Sequence, residues 1–101
     1  MSIRDVVEKA NLNGRTLRNE TISIMNNIND LSMLQAFMKL AVGRIDSWVA
    51  VSKDQIQAPR QGYTPLEVES ALEKLVPYYN NLKAELYANA YTVSAKIVRK
   101  P

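Results

Sequence analysis

An all-α fold follows from three observations. Three Gly and four Pro in 101 residues leave little material for β-turns. A composition of 47% hydrophobic and 23% charged residues suits a packed domain rather than a disordered chain. Apolar residues then recur at helical spacing along most of the sequence. The length is that of a single domain, residues 1–101. The expected architecture is an antiparallel hairpin of two long helices with a short N-terminal helix at its open end, completed by oligomerisation. The alternative is a three- or four-helix monomer in which the long helix breaks near Asn29 and the N-terminal segments fold back over the apolar surface.

The first helix is expected over about 2–10. Ser2 is placed to cap it, and Asp5 meets the positive end of its dipole. Ile3, Val6, Val7 and Ala10 share one face, and Asn11-Leu12-Asn13-Gly14 reads as its stop.

A long helix is expected over about 16–57, capped by Thr16. A seven-residue repeat puts Leu17, Ile24, Leu31, Met38 and Ile45 on one row, continued by Ser52. Thr21, Ile28, Gln35, Val42, Val49 and Ile56 form the other row. The unslipped register predicts one continuous, coiled-coil-like helix. A break near Asn29 is the alternative, because Asn26-Asn27-Ile28-Asn29-Asp30 is poor helix material and Asn29 or Asp30 can cap a fresh helix at Leu31.

Residues 58–63, Ala58-Pro59-Arg60-Gln61-Gly62-Tyr63, form the expected loop. Thr64-Pro65-Leu66-Glu67 is a helix start with cap, N1 proline and capping-box glutamate. The last helix is expected over about 65–98, with Val68, Leu75 and Leu82 on one row and Leu72, Tyr79, Leu86 and Val93 on the other. Pro77 inside it predicts a kink. The turn lacks the Trp-x-Gly motif of the type VII secretion substrates, which are similar in length and hairpin form. The only tryptophan is Trp48, in a helix, and no family is assigned.

The chain has no Cys and no His. That removes disulfides, thiolate ligands, a thiol nucleophile and the commonest general base and metal ligand. With no nucleophile–base pair in view, the protein is expected not to be an enzyme and to need no cofactor or metal. Glu67, Glu69 and Glu73 crowd one helix start, where carboxylates complement the dipole without any catalytic role. No signal peptide or membrane span is expected, so the location is read as cytoplasmic, with virion association or signal-less export left open. A bacterial or phage setting fits the composition loosely.

Function is expected to lie in surplus apolar surface. Met33–Val51 is apolar on more sides than one seam can cover. Met33, Leu34, Phe37, Leu40, Trp48 and Val51, with Tyr87 and Tyr91 on the last helix, are therefore the expected partner interface. The partner is a second copy or a larger protein, in an adaptor, chaperone, inhibitor or assembly role. The alternative is a nucleic-acid or nucleotide-binding module. In the hairpin, Arg15, Arg18, Lys96, Arg99 and Lys100, joined by Arg4 and Lys9, would gather at one basic end and contact phosphate or an acidic partner.

Overall fold

The computed structural model describes residues 2–58 and 61–99. It is all-α, with three helices in chain order: α1 Ile3–Met25, α2 Leu31–Gln57 and α3 Pro65–Arg99. Each helix packs against the other two. The result is a narrow rod of 59 × 17 × 15 Å. Val6, Val49, Ile56, Ala71 and Leu75 form one core cluster, and Met25, Leu34, Leu86 and Val93 belong to the other. The start of α1 therefore lies beside the end of α2 and the start of α3. Neighbours in sequence run antiparallel, and α1 and α3 run parallel.

This corrects the expected helix boundaries. The helix over 2–10 does not stop at Asn11-Leu12-Asn13-Gly14 but runs on to Met25. The helix expected over 16–57 is two helices, as in the alternative of a break near Asn29 with a fresh helix at Leu31, and the chain reverses at residues 26–30. The stop was misplaced because Asn and Gly weaken a helix only locally, and packing overrides that preference. Gly14 is buried against α2. The reversal is made by the Asn-rich segment itself. The Asn27 N–H donates to the Ile24 carbonyl at 3.1 Å and the Ile28 N–H to the Met25 carbonyl at 3.1 Å. Asp30 then caps α2, its carboxylate accepting from the Met33 N–H at 3.0 Å.

The seven-residue seam is also corrected. Ile24 and Leu31, both on its first row, are 49% and 40% exposed. The buried positions of α2 are Leu34, Met38, Ala41, Ile45, Val49, Ser52 and Ile56. They step by four, three and four, so that Leu34, Ile45 and Ile56 recur every 11 residues. Ala71, Leu82 and Val93 do the same in α3. Eleven residues in three turns is about 3.67 per turn, near the natural pitch of the α-helix. Such helices pack side by side with little supercoil, which suits a rod this narrow. Two core positions are hydroxyls. Each satisfies itself within its own helix, Thr21 Oγ1 donating to the Leu17 carbonyl at 2.7 Å and Ser52 Oγ to the Trp48 carbonyl at 2.9 Å.

The local signals at the other helix starts are realised. Ser2 Oγ accepts from the Asp5 N–H at 3.2 Å. The Thr64–Glu67 capping box closes both ways, at 3.0 and 3.2 Å. Gly62 carries the positive φ, 70°, of the α2–α3 connection. Pro59 and Arg60 of the expected loop lie outside the described residues. Pro77 sits on the exposed side of α3, which continues unbroken past it. There the carbonyl left without an N–H partner can turn to water.

Candidate functional site

Trp48 locks the middle of the bundle. Its Nε1–H donates to the Ala10 carbonyl on α1 at 3.0 Å. Its ring lies over Gly14 and meets the Tyr78 ring edge-on, with centroids 5.9 Å apart. The Tyr78 hydroxyl donates to the next α1 carbonyl, Asn11, at 3.1 Å. Two aromatic residues, one each from α2 and α3, thus grip adjacent carbonyls of α1. Tyr78 was expected, with the other tyrosines of the last helix, at an interface rather than in the bundle, and Gly14 was not among the sequence candidates. The signal for Gly14 was present, but it resembled a helix stop.

The expected apolar interface divides between core and surface. Leu34 is 4% exposed and belongs to the core. Phe37 and Trp48 are half-buried and pack against it. Leu34 was read as surplus because α1 was taken to be too short to cover it. Met33, Leu40 and Val51 remain 61%, 68% and 56% exposed. Leu40, Trp48 and Val51 line a groove of about 720 Å³ between α1 and α2, closed on the α1 side by Ala10, Asn13 and Leu17. Among the described residues, Lys39 and Arg44 are the charged ones lining that groove. Neither takes part in an ion pair among the described residues. The exposed Gly43 opens its floor, since a Cβ there would meet nothing within 4 Å.

Tyr87 and Tyr91 are exposed but belong to a different face. Tyr87 follows the buried Leu86, about 100° further round the helix. It lies on the side of Tyr79 and Lys83, which face Asp46 of α2. With Leu66, Val76 and Val98, all exposed, the two tyrosines form an apolar stripe along the outside of α3. Glu69 and Glu73 lie on the same stripe at its N-terminal end. There, with Leu72 and Val76, they line a second groove of about 910 Å³, and among the described residues its charges are acidic. Glu67 is occupied by the capping box. Among the described residues no set of three His, Cys, Asp or Glu is grouped to hold a metal ion.

The basic residues do not converge. Arg18 pairs with Glu85 across α1 and α3, and with Arg15 it lines a shallow pocket half-way along the bundle. Lys96 and Arg99 lie 11 and 14 residues beyond Glu85, or roughly 16 and 21 Å at 1.5 Å per residue. Arg4 lies towards the opposite end, beside Leu66 and Lys74, and pairs with Glu8 at 3.2 Å. Lys100 lies outside the described residues. The expected cluster assumed one helix over 16–57, and the reversal at 26–30 carries Arg15 and Arg18 away from the end of α3.

One polar chain links α2 to α3. The Lys83 ammonium donates to the Tyr79 hydroxyl at 3.1 Å, and that hydroxyl donates to Asp46 Oδ1. The accepting Tyr79 hydroxyl holds the Lys83 pKa above the ordinary lysine value, against a smaller lowering by desolvation, and the Asp46 charge adds to the rise. The ammonium is also 5.2 Å from the centre of the Tyr79 ring.

No described helix is long and apolar enough to cross a membrane. Comparison of the chain with family models, with curated proteins and with solved structures gives no match.

Proposed function

We propose that this chain is a non-enzymatic interaction module that takes up a partner in the α1/α2 groove. The observation that carries this reading is the open apolar run of Met33, Leu40 and Val51 beside Lys39 and Arg44, which take part in no ion pair among the described residues. Exposed apolar surface of this extent, rimmed by charge, is typical of protein contacts. An adaptor or assembly role fits this better than catalysis, since the described lining offers apolar area and positive charge, and its buried hydroxyl, Ser52, is spent on the Trp48 carbonyl.

Affinity capture with the intact protein and a Leu40→Glu variant tests the reading. Leu40 is largely exposed, so the variant keeps the fold, which circular dichroism verifies. Proteins retained by the wild type and lost with Leu40→Glu support the groove as the contact. An unchanged set of retained proteins counts against it.

A further inference from the structure

We infer that the occupant of the α1/α2 groove is the outer stripe of α3 from a second copy of this chain. The inference rests on the groove being a contact surface and goes on to name what fills it.

Charge complementarity selects this occupant. Among the described residues, the charges on the groove lining are cations, Lys39 and Arg44. Among the described residues, those on the groove at the N-terminal half of the α3 stripe are acids, Glu69 and Glu73. None of the four takes part in an ion pair among the described residues. Their axial spacing is similar, although five residues set Lys39 and Arg44 about 140° apart round α2 and four set Glu69 and Glu73 about 40° apart round α3. Lys39 and Arg44 are separated by about 7.5 Å of helix rise, and Glu69 and Glu73 by about 6 Å. The cations of the groove can therefore flank the acids of the stripe, with Leu40 against the exposed Val76. The open backbone at Gly43 lets the second helix approach closely.

The contact cannot be made within one chain. Trp48, at the groove, faces α1, whereas the α3 stripe lies beyond the Tyr79–Asp46 contact on the outside of the bundle. Both surfaces are open in the same molecule and turned away from each other. A second copy brings them together. Two grooves meeting face to face would instead set Arg44 against Arg44, which like-charge repulsion disfavours.

Sedimentation velocity on the full chain tests this over a concentration series at low and high salt. Two charge-reversed variants accompany it, Lys39→Glu with Arg44→Glu, and Glu69→Lys with Glu73→Lys. All four positions are on the surface, so the variants fold. The wild type is expected to self-associate, more weakly at high salt. Each double variant alone is expected to associate about tenfold more weakly or less, because its groove and stripe now carry the same sign. An equimolar mixture of the two regains association, since the acidic groove of one accepts the basic stripe of the other. A monomeric wild type overturns the inference, as does a mixture no better than its parts. If the wild type is monomeric but Leu40→Glu still abolishes capture of a foreign protein, self-association alone is overturned and the groove reading stands. If neither effect is seen, both fall.

Discussion

Trp48 stands where a side chain on Gly14 would be. A Cβ built on Gly14 would lie 2.7 Å from Cζ2 of the Trp48 ring, inside any permitted contact. The ring cannot easily retreat, because Ala10 holds its N–H and the Tyr78 ring packs against it in a T-shaped contact. Gly14 is therefore a close-approach residue inside a helix, and the conformational freedom of glycine has no part in it.

Gly14→Ala and Gly43→Ala should consequently move stability in opposite directions. Both sites are helix interiors, where alanine is favoured by roughly 0.5–1 kcal/mol. At Gly43 nothing opposes that gain. At Gly14 the overlap with a fixed ring costs about 1–3 kcal/mol, which exceeds it. Urea unfolding should show Gly43→Ala more stable than wild type and Gly14→Ala less stable. Equal effects would mean that Trp48 yields freely.

Trp48 carries more of the fold than of the interface. Trp48→Phe removes the hydrogen bond to Ala10 and should cost about 1 kcal/mol. Trp48→Ala should cost roughly 2–4 kcal/mol, below the value for a fully buried tryptophan because the ring is only half covered. Loss of partner binding in Trp48→Ala would thus report unfolding as readily as a lost contact. Leu40→Glu separates the two, since it alters the groove without touching the core.

Lys83 links pH to the α2–α3 contact. Its pKa is raised by the accepting Tyr79 hydroxyl first, with Asp46 adding to the effect. A raised pKa means that the folded state holds the proton more tightly than the unfolded chain. The stabilisation is complete below the unfolded lysine value of about 10.4 and is lost as pH rises through the higher folded value. Side-chain NMR titration should place the Lys83 midpoint above the ordinary lysine value. Tyr79→Phe should bring it down towards that value. A Lys83 midpoint unchanged by Tyr79→Phe would mean that the hydroxyl is not the cause.

What was legible in the sequence was local. Ser2, Asp30, Thr64 and Glu67 act through contacts within a turn of themselves, and each caps as its position suggests. What was not legible depended on partners distant in the chain. Gly14 looked like a stop because the ring above it comes from residue 48. Leu34 looked like surplus because its cover is the far half of α1, beyond that apparent stop. The seven-residue rows persisted across residues 26–30 because periods of seven and eleven share many positions. Met38, Ile45, Val49, Ser52 and Ile56 satisfy both, so the pattern in α2 could not expose the reversal. Of the groove, the apolar rim was visible in the composition of Met33–Val51. Its separation from the tyrosines followed only once Lys83 and Tyr79 were seen to face Asp46.

The reversal at 26–30 is the point at which the rejected long helix and the observed bundle compete. Asp30 caps α2 and contributes about 1 kcal/mol to the break. Asn27 and Asn29 add a few tenths of a kcal/mol each, because both are poorer helix formers than alanine. Replacing Asn27, Asn29 and Asp30 together by Ala removes these preferences and extends a seven-residue register that already crosses the segment. α1 and α2 should then join into one helix in part of the population. A joined helix cannot fold α1 back onto its own α2, so the core is rebuilt by exchanging α1 between two chains. Light scattering is expected to show a dimer that persists at high salt and exchanges slowly, with helix content unchanged by circular dichroism. Salt persistence distinguishes it from the groove contact, which weakens as salt rises. A triple variant that keeps the mass and salt response of the wild type would show that burial of α1, rather than the connector, dictates the turn.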